Sequence, residues 1–322
     1  MDTRLVWWNS KLIPESEARL SIYDSALMFG DMVFEMTRSF KGKHFKLREH
    51  LERLYRSIKY VRIPLQMTIN EMEDACYEVS KVNEFEPDDE HRLMINVTRG
   101  LLSIYEQTGK PGPNFIISDF PLRWTTAGMG KLFDIGINLV IPSQRQIPAH
   151  LLDPKVKNRS RMHYLMANIE VSHSKEWING RPNWALLLDH NGFVTEGPGY
   201  NFFIVKNRKL KTPKDNILKG ISRAYVFRLD SPTAHGDLEP CYEDHIEPYD
   251  VYNADEAFVT ATPFCMLPVT SLNGIEIGDG KPGPIYNENL SYWSRSVGVD
   301  IKSQIQAWDK GAVIGPSPYK FK

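Results

Sequence analysis

Glu196 occupies a position from which a carboxylate could face a flat ligand at close range. It stands between a strand-like segment at residues 193–195 and a Gly-Pro-Gly turn at residues 197–199, and a second strand-like run follows at residues 202–205. An acid at this point that keeps a heterocyclic nitrogen protonated would turn the ligand ring into an electron sink. Taken alone, the same motif more often marks a solvated acid in a hairpin.

Two segments farther along the chain are suited to binding a phosphate. Gly220 is followed by Ile221 and Ser222 at the expected start of a helix, where free backbone N–H groups and the helix dipole attract anions. Ala261 and Thr262 follow a strand-like run in a hydroxyl-rich turn. The Thr262 hydroxyl, or the N–H groups around Ala261, could bind the same phosphate. A simple helix N-cap and a turn with self-bonded hydroxyls are the structural alternatives.

Two lysines and one arginine are candidates for direct contact with such a ligand. A lysine that forms a Schiff base must be desolvated and held at the edge of a cavity. Val156 favours its neighbour Lys157, but strand-like alternation sends Lys155 and Lys157 to the same side, so the local pattern does not separate them well. Arg53 lies beside the apolar stripe of an earlier helix, where its guanidinium could reach inward to a phosphate or extend outward to solvent.

The periodicity of apolar residues predicts interleaved strands and helices, which is typical of mixed α/β domains. The predicted elements of the first part are a hairpin at residues 5–13, helices at 48–61 and 68–79, and strands at 33–37, 93–98 and 114–119. Those of the second part are strands at 135–141, 185–188, 202–205 and 257–260, and helices at 160–172, 221–229 and 286–297. The turn residues predict a small N-terminal domain at 1–122, a linker at 123–131 and a C-terminal domain at 132–322.

The composition of the 322-residue chain argues against several classes of protein. The net charge of −1 gives no reason to expect a nucleic-acid or membrane partner. Cys76, Cys241 and Cys265 lie far apart without metal-ligand spacing, so the sequence predicts no metal site and thiols in a reducing compartment. No signal peptide and no apolar run of about 20 residues is visible, and a cytoplasmic protein is expected.

The order and spacing of these segments resemble those of the class IV aminotransferases, which are pyridoxal-phosphate enzymes of fold type IV. Residues 21–35 resemble the N-terminal signature of the family, and residues 50–54 match its H-x-x-R-L motif. Residues 156–158 match its I/V-K-S/N motif, and this resemblance assigns the Schiff base to Lys157. The resemblance extends from Ala18 to Val297 and covers nearly the whole chain.

The same resemblance implies a role for each remaining candidate. Arg53 would bind the phosphate of pyridoxal 5′-phosphate, and Glu196, within V-T-E-G, would partner the pyridine nitrogen. Ser222 stands in place of Thr in the I-L-x-G-I-T-R motif, and Thr262 stands in the second phosphate-binding turn of the family. In that turn, Ala261 can offer only its backbone N–H.

The resemblance also implies an architecture and a reaction. A homodimer is expected, with a small N-terminal and a larger C-terminal α/β domain in each subunit and the cofactor in the cleft. The implied reaction transfers an amino group between an amino acid (branched-chain or D-amino acid) or an amine and a 2-oxo acid through a Schiff base on Lys157. The alternatives are an (R)-selective amine transaminase, a lyase of the aminodeoxychorismate lyase type, and a non-catalytic binding protein.

The expected substrate pocket departs from the patterns of the family's subgroups. Its apolar lining is expected to come from Phe29, Phe34 and Met36. Arg99, in a T-R-G segment similar to that of D-amino acid aminotransferases, is a candidate for binding the substrate carboxylate, and so is Arg38. The arginine expected from the bacterial branched-chain enzymes would fall near Met94, which is uncharged.

Overall fold

The computed structural model describes residues 4–174, 180–229 and 241–310, and the chain divides into two units. The first unit comprises Met1–Trp124 together with Val156–Arg161, and the second comprises Thr125–Lys155 together with Met162–Lys322. The sequence placed residues 156–161 in the C-terminal domain. They fall in the first unit because residues 157–159 form backbone hydrogen bonds with a strand of that unit.

An antiparallel five-stranded sheet forms the first unit, in the order β2-β1-β7-β6-β3. The strands of this unit are β1 (Leu5–Trp8), β2 (Lys11–Pro14), β3 (Met32–Met36), β4 (Ser39–Phe40), β5 (Lys43–His44), β6 (His91–Thr98) and β7 (Asn114–Pro121). Its helices are α1 (Ser25–Phe29), α2 (Leu47–Val61) and α3 (Ile69–Val82), and α4 (Arg123–Thr126) lies at the unit boundary in the sequence. The predicted hairpin is confirmed, with its turn at Asn9 and Ser10, whose φ angles are positive.

The two long helices of the first unit form where the sequence predicted them. Leu51, Leu54 and Ile58 recur at helical spacing on α2 and are buried in the apolar core beneath the sheet. The helix α3 begins after the N-cap Thr68, which forms the predicted capping box with Glu71. The core that these helices complete also includes Val33, so one face of β3 is covered and its other face carries Phe34.

A mixed sheet forms the second unit, and nine of its strands lie within the described residues. They are β8 (Ile137–Val140), β9 (Asn183–Ala185), β10 (Glu196–Gly197), β11 (Tyr200–Lys206), β12 (Lys209–Pro213), β13 (Tyr242–Asp244), β14 (Glu256–Ala261), β15 (Cys265–Leu272) and β16 (Ile275–Glu276). The order is β13-β12-β11-β14-β15-β8-β9, with β10 beside β11 and β16 beside β15. The helices are α5 (Leu132–Ile135), α6 (Met162–Ser172), α7 (Ile221–Leu229), α8 (Pro248–Tyr252), α9 (Pro284–Val297) and α10 (Ile301–Trp308).

The predicted strands around Glu196 differ from the structure in a way that bears on the site. Regular pairing of β9 ends at Ala185, and the ladder of the hairpin begins only at Glu196. Backbone hydrogen bonds outside the regular ladders hold the chain between Ala185 and Glu196. In one of them, the Leu187 N–H donates to the Glu196 carbonyl over 3.1 Å. Glu196 therefore lies inside a short β-hairpin with β11 rather than after a longer strand.

None of the helices in the described parts of the chain has the length and apolar character that crossing a membrane would require.

Candidate active site

Residues 157–159 extend the five-stranded sheet beyond its edge strand β3. Val33 forms an antiparallel bridge with Asn158, and two backbone hydrogen bonds of 2.9 Å between this segment and β3 flank the bridge. Val33 packs in the apolar core, so its partner Asn158 lies on the core side. Because side chains alternate between the two faces of a sheet, Lys157 and Arg159 project from the opposite face, which lies away from that core and is here named the open face.

The Lys157 ammonium lies against an aromatic ring on that open face. Its Nζ is 4.7 Å from the centre of the Phe34 ring, and Phe34 is buried. Lys155 differs, since its side chain is 59% exposed and pairs with Asp153 over 3.1 Å. The two lysines that the sequence pattern left equivalent thus differ in environment. Lys157 has the partly desolvated position that a Schiff-base lysine needs.

On the covered face of β3, Glu35 accepts hydrogen bonds from Arg53 and His50, and all three side chains are buried. Arg53 Nε and Nη2 donate to the two carboxylate oxygens over 2.7 and 2.8 Å, and His50 Nδ1 lies 2.7 Å from Glu35 Oε2. Burial opposes ionisation of Glu35, but Arg53 and His50 outweigh it and hold the pKa of Glu35 well below its usual range. Burial also lowers the pKa of His50, so a neutral ring donates its Nδ1–H to the carboxylate.

The sequence identified Arg53 but not Glu35 as its partner. The available signal was the spacing of His50 and Arg53, which are three residues apart and therefore lie on one face of α2. The ion pair sets the direction of the Arg53 guanidinium, because two parallel N–H···O bonds fix its plane. Binding of a phosphate by Arg53 stays a prediction.

Arg99 has protein partners within the first unit. Its Nε and Nη2 donate to the Asp31 carboxylate over 2.5 and 3.3 Å. Its Nη2 and Nη1 also donate to the carbonyls of Val61 and Arg62, at the end of α2, over 2.7 and 2.9 Å. These contacts bind the end of β6 to the end of α2. A contact between Arg99 and a substrate carboxylate stays a prediction.

The other predicted substrate residues are dispersed over the first unit. Arg38 is buried, its Nε donates to the Ser39 carbonyl over 3.1 Å, and its guanidinium lies 3.9 Å from the Phe40 ring centre. Met36 shares the open face of β3 with Phe34, two residues away. Phe29 ends α1 and is 65% exposed.

In the second unit, Glu196 is buried and accepts hydrogen bonds from neutral donors. Tyr164 Oη donates to Oε1 over 2.7 Å, and Asn201 Nδ2 and the Leu218 N–H donate to Oε2 over 2.9 and 3.0 Å. Donors of this kind stabilise an ionised carboxylate. The donor set therefore fits an anionic Glu196, and its contact with a ring nitrogen stays a prediction.

Tyr164 and Asn201 are site residues that the sequence reasoning missed. Gln146 Nε2 donates to Tyr164 Oη over 2.8 Å, so the phenol both accepts a hydrogen bond and donates to Glu196. Asn201 Nδ2 also donates to the Leu218 carbonyl over 2.8 Å. These polar residues are all buried. Asn201 is a polar residue in the otherwise apolar start of β11, which indicates burial but does not reveal which carboxylate it contacts.

The two predicted phosphate segments adopt the expected local structures. The helix α7 begins at Ile221, directly after Gly220, and Ser222 is buried in its first turn. A Cβ at residue 220 would collide with the Asn201 side chain, so glycine is required where Asn201 connects this segment to Glu196. Ala261 ends β14, and Thr262 lies in the turn to β15. Phosphate binding by Gly220, Ile221, Ser222, Ala261 and Thr262 stays a prediction.

The residues that the structure describes contain no group of three or more His, Cys, Asp or Glu side chains that could hold a metal ion.

Comparison with known proteins places this geometry in context. A model of the amino-transferase class IV family matches residues 32–272. A putative branched-chain-amino-acid aminotransferase of Methanocaldococcus jannaschii is 35% identical over 87% of this chain and 92% of that protein. The crystal structure of a branched-chain aminotransferase from Thermoproteus uzoniensis with norvaline aligns with 95% of this chain and 98% of its own chain, at 26% sequence identity and a TM-score of 0.78. The crystal structure of the Thermobaculum terrenum branched-chain amino acid aminotransferase in its PLP form aligns with 95% of this chain and 97% of its own chain, at 25% sequence identity and a TM-score of 0.77.

The buried ion pair leads to a prediction about stability. Glu35→Gln should lower the free energy of unfolding at neutral pH by about 3–5 kcal/mol, because the buried Arg53 loses its counter-charge. Glu52→Gln on the exposed side of α2 is the control and should change it by less than about 0.5 kcal/mol. Urea denaturation of both variants and the wild type gives these values.

The stability difference between the wild type and Glu35→Gln should depend on pH in a predictable direction. The folded-state pKa of Glu35 is depressed, so its stabilisation is present above the unfolded value of about 4.3 and is lost as the pH falls toward the folded value. The difference between wild type and Glu35→Gln should therefore shrink below about pH 4. A difference that stays constant from neutral pH to pH 3 would contradict this account.

Proposed function

The chain belongs to the class IV amino-transferase family and is a pyridoxal-phosphate-dependent transaminase, and on that premise we propose that it moves the amino group of a branched-chain amino acid to a 2-oxo acid at Lys157. The observation that carries the proposal is the position of Lys157 on the open face of β3, with its Nζ against Phe34. Met36, partly exposed on the same face, offers an apolar contact for an aliphatic side chain. The branched-chain aminotransferases that resemble this chain support the same substrate class.

In the second unit, Glu196 is the proposed partner of the cofactor ring nitrogen. Its donors Tyr164, Asn201 and the Leu218 N–H favour the ionised carboxylate. When bound, pyridoxal phosphate supplies an electron sink for the negative charge that develops on the substrate carbon. Glu196 holds a proton on the ring nitrogen by accepting its hydrogen bond. Glu196→Gln should retain the fold but slow turnover by orders of magnitude, and an unchanged rate would exclude this role.

For the phosphate, each unit offers candidate ligands. Arg53 in the first unit is a buried guanidinium whose orientation is fixed by Glu35, and a guanidinium is suited to a phosphate. In the second unit, the N–H groups of Ile221 and Ser222 begin α7, where an anion is stabilised. Gly220, Ala261 and Thr262 complete the candidate set. Titration of the apoenzyme with the cofactor should show weaker binding for Ser222→Ala, and an unchanged affinity would remove that residue from the set.

Lys157 is the proposed proton carrier. Its amine has the reach of a flexible four-carbon side chain, while its backbone is held by pairing to β3. Phe34 excludes water from one side of Nζ. A neutral amine at this position accepts a proton from the substrate carbon and returns it to the product, so one group acts as general base and then as general acid.

We propose that the chain forms a homodimer through a surface around α1. Ile22, Leu27 and Phe29 are 73%, 63% and 65% exposed, and contiguous exposed apolar residues mark interaction sites. A twofold dimer, the commonest symmetric assembly, would cover them. Sedimentation velocity should show a dimer, and Leu27→Glu should shift it toward monomer. A monomeric wild-type chain would contradict this proposal.

A reducing compartment, the cytoplasm, is the proposed location. Cys76, Cys241 and Cys265 are buried and are not joined in a disulfide, which fits a protein that keeps its thiols reduced. Thiol titration of denatured protein, prepared without reductant, should find all of them reduced. An intermolecular disulfide would argue against this location.

The proposed activity predicts a difference between two neighbouring lysines. Lys157→Ala should abolish transfer of labelled amino nitrogen from leucine to 2-oxoglutarate, because the proposed Schiff base and proton transfer both need the amine at this point of the open face. Lys155→Ala removes an exposed lysine of the same segment and should leave the rate unchanged. Loss of transfer in the Lys155 variant alone, or pyruvate release without any amino acceptor, would contradict the proposal.

A further inference from the structure

Arg159 shares the open face of β3 with Lys157. The two residues are separated by one position of a paired, extended segment, which places their Cα atoms about 6.6 Å apart on the same side. A group attached to a carbon that reacts at Lys157 Nζ lies within reach of a long side chain two residues away. Asn158, between them, lies on the other face with Val33.

The Arg159 guanidinium is packed against neutral groups. It lies 3.7 Å from the centre of the Phe34 ring, and its Nη2 is 2.9 Å from Asn96 Oδ1 and 3.1 Å from Met94 Sδ. Asn96 is directly opposite Phe34 in the β3–β6 ladder, so these contacts all lie on the open face. Within the described residues, Arg159 forms no ion pair with a carboxylate.

A second cation lies beside it. The Arg161 guanidinium is 5.7 Å from the Phe34 ring centre. Burial, and then the neighbouring Arg161, lower the pKa of Arg159 to about 10. Arg159 is still a cation at neutral pH, and it is half-buried without a counter-ion among the groups described here. A partly desolvated, like-charged pair of this kind is stabilised when an anion joins it.

The location of Arg159 matches a position that the resemblance singled out. A carboxylate-binding arginine was expected near Met94, which is itself uncharged; Arg92, two residues before it, is buried with its Nη2 against Met36 Sδ. Arg159 comes from a distant segment, yet its Nη2 contacts Met94 Sδ. By contrast, Arg99 already binds Asp31 and two carbonyls.

We propose that Arg159, oriented by Asn96 and accompanied by Arg161, binds a carboxylate of the amino-acid and 2-oxo-acid substrates. The inference rests on the proposed transaminase function. Its chemistry is a planar fork of N–H donors facing a carboxylate beside the reacting lysine. The carboxylate is the one on the reacting carbon.

A binding experiment tests this without turnover. The probes are 4-methylvaleric acid, which is leucine without its amino group, and its neutral amide, titrated into the cofactor-loaded enzyme by calorimetry. Arg159→Met keeps the side chain packed on Phe34 but removes the charge. It should weaken the affinity for the acid by about 10- to 100-fold and the affinity for the amide by less than about 2-fold. Arg159→Lys keeps the charge but lacks the planar set of N–H donors, so its affinity for the acid should lie between those of the wild type and Arg159→Met.

Two controls distinguish loss of the Arg159 contact from a general loss of positive charge and from unfolding. Lys155→Met removes one positive charge from the exposed part of the same segment and should leave the affinities for both probes unchanged. Thermal unfolding of each variant shows whether it is folded under the assay conditions. Equal weakening of acid and amide by Arg159→Met, or no weakening of the acid, would overturn the proposal.

Substrate kinetics test the same contact during turnover. Arg159→Met should reduce kcat/KM for leucine and for glutamate, because both have a carboxylate on the reacting carbon. A loss confined to glutamate would place Arg159 at the distal carboxylate and would overturn the proposal. Isoamylamine, which has the leucine side chain and no carboxylate, should be unaffected, and an equal loss for it would overturn the proposal. A wild-type enzyme that transfers no amino group would refute the transaminase proposal, while the acid and amide affinities would still report on Arg159.

Discussion

The arrangement of side chains on the open face of the first unit depends on the pairing of residues 157–159 with the edge of β3. One antiparallel bridge and two backbone hydrogen bonds hold this segment, and strict alternation then decides where every side chain goes. Lys157 and Arg159 join Phe34 on the open face, and Asn158 joins Val33. A slip of one residue would exchange the two sets and remove the lysine from the open face. Backbone hydrogen bonds alone thus determine the face of the sheet on which each of these side chains lies.

Two buried carboxylates illustrate two ways to keep an acid ionised inside a protein. Glu35 is paired with a guanidinium, which outweighs the cost of burial and lowers its pKa. Glu196 instead accepts hydrogen bonds from neutral donors, Tyr164, Asn201 and a backbone N–H. Such donors stabilise the ionised carboxylate without adding a positive charge to it. The charge of Glu35 is neutralised by Arg53, and the two hydrogen bonds between them orient that arginine.

Much of the local structure followed from the sequence. The hairpin around Asn9, the capping box at Thr68 and the start of α7 after Gly220 are set by residues close together in the chain. Short-range preferences suffice there, because turn and cap chemistry involve only a few neighbours. The resemblance to class IV aminotransferases then identified Lys157 and Glu196 as candidates, and the family match confirms the fold and the reaction class.

The remaining site residues could not be predicted, for a physical reason. Asn201 and Tyr164 meet Glu196 through tertiary packing, and Arg159 reaches Met94 from a segment 65 positions away. Periodicity indicates that such side chains are buried, but it does not say which partner satisfies each polar atom. The pairing of residues 157–159 with β3 is likewise long-range, which is why alternation in the sequence could not distinguish Lys155 from Lys157.

The most direct measurement is the site of covalent attachment of the cofactor. The enzyme would be loaded with pyridoxal phosphate, treated with borohydride to make the lysine linkage permanent, digested and mapped by mass spectrometry. The pairing of Asn158 with Val33 predicts that the modified peptide carries the cofactor on Lys157. Attachment to Lys155, to another lysine or to none would contradict the assignment of the open face of β3 as the catalytic face.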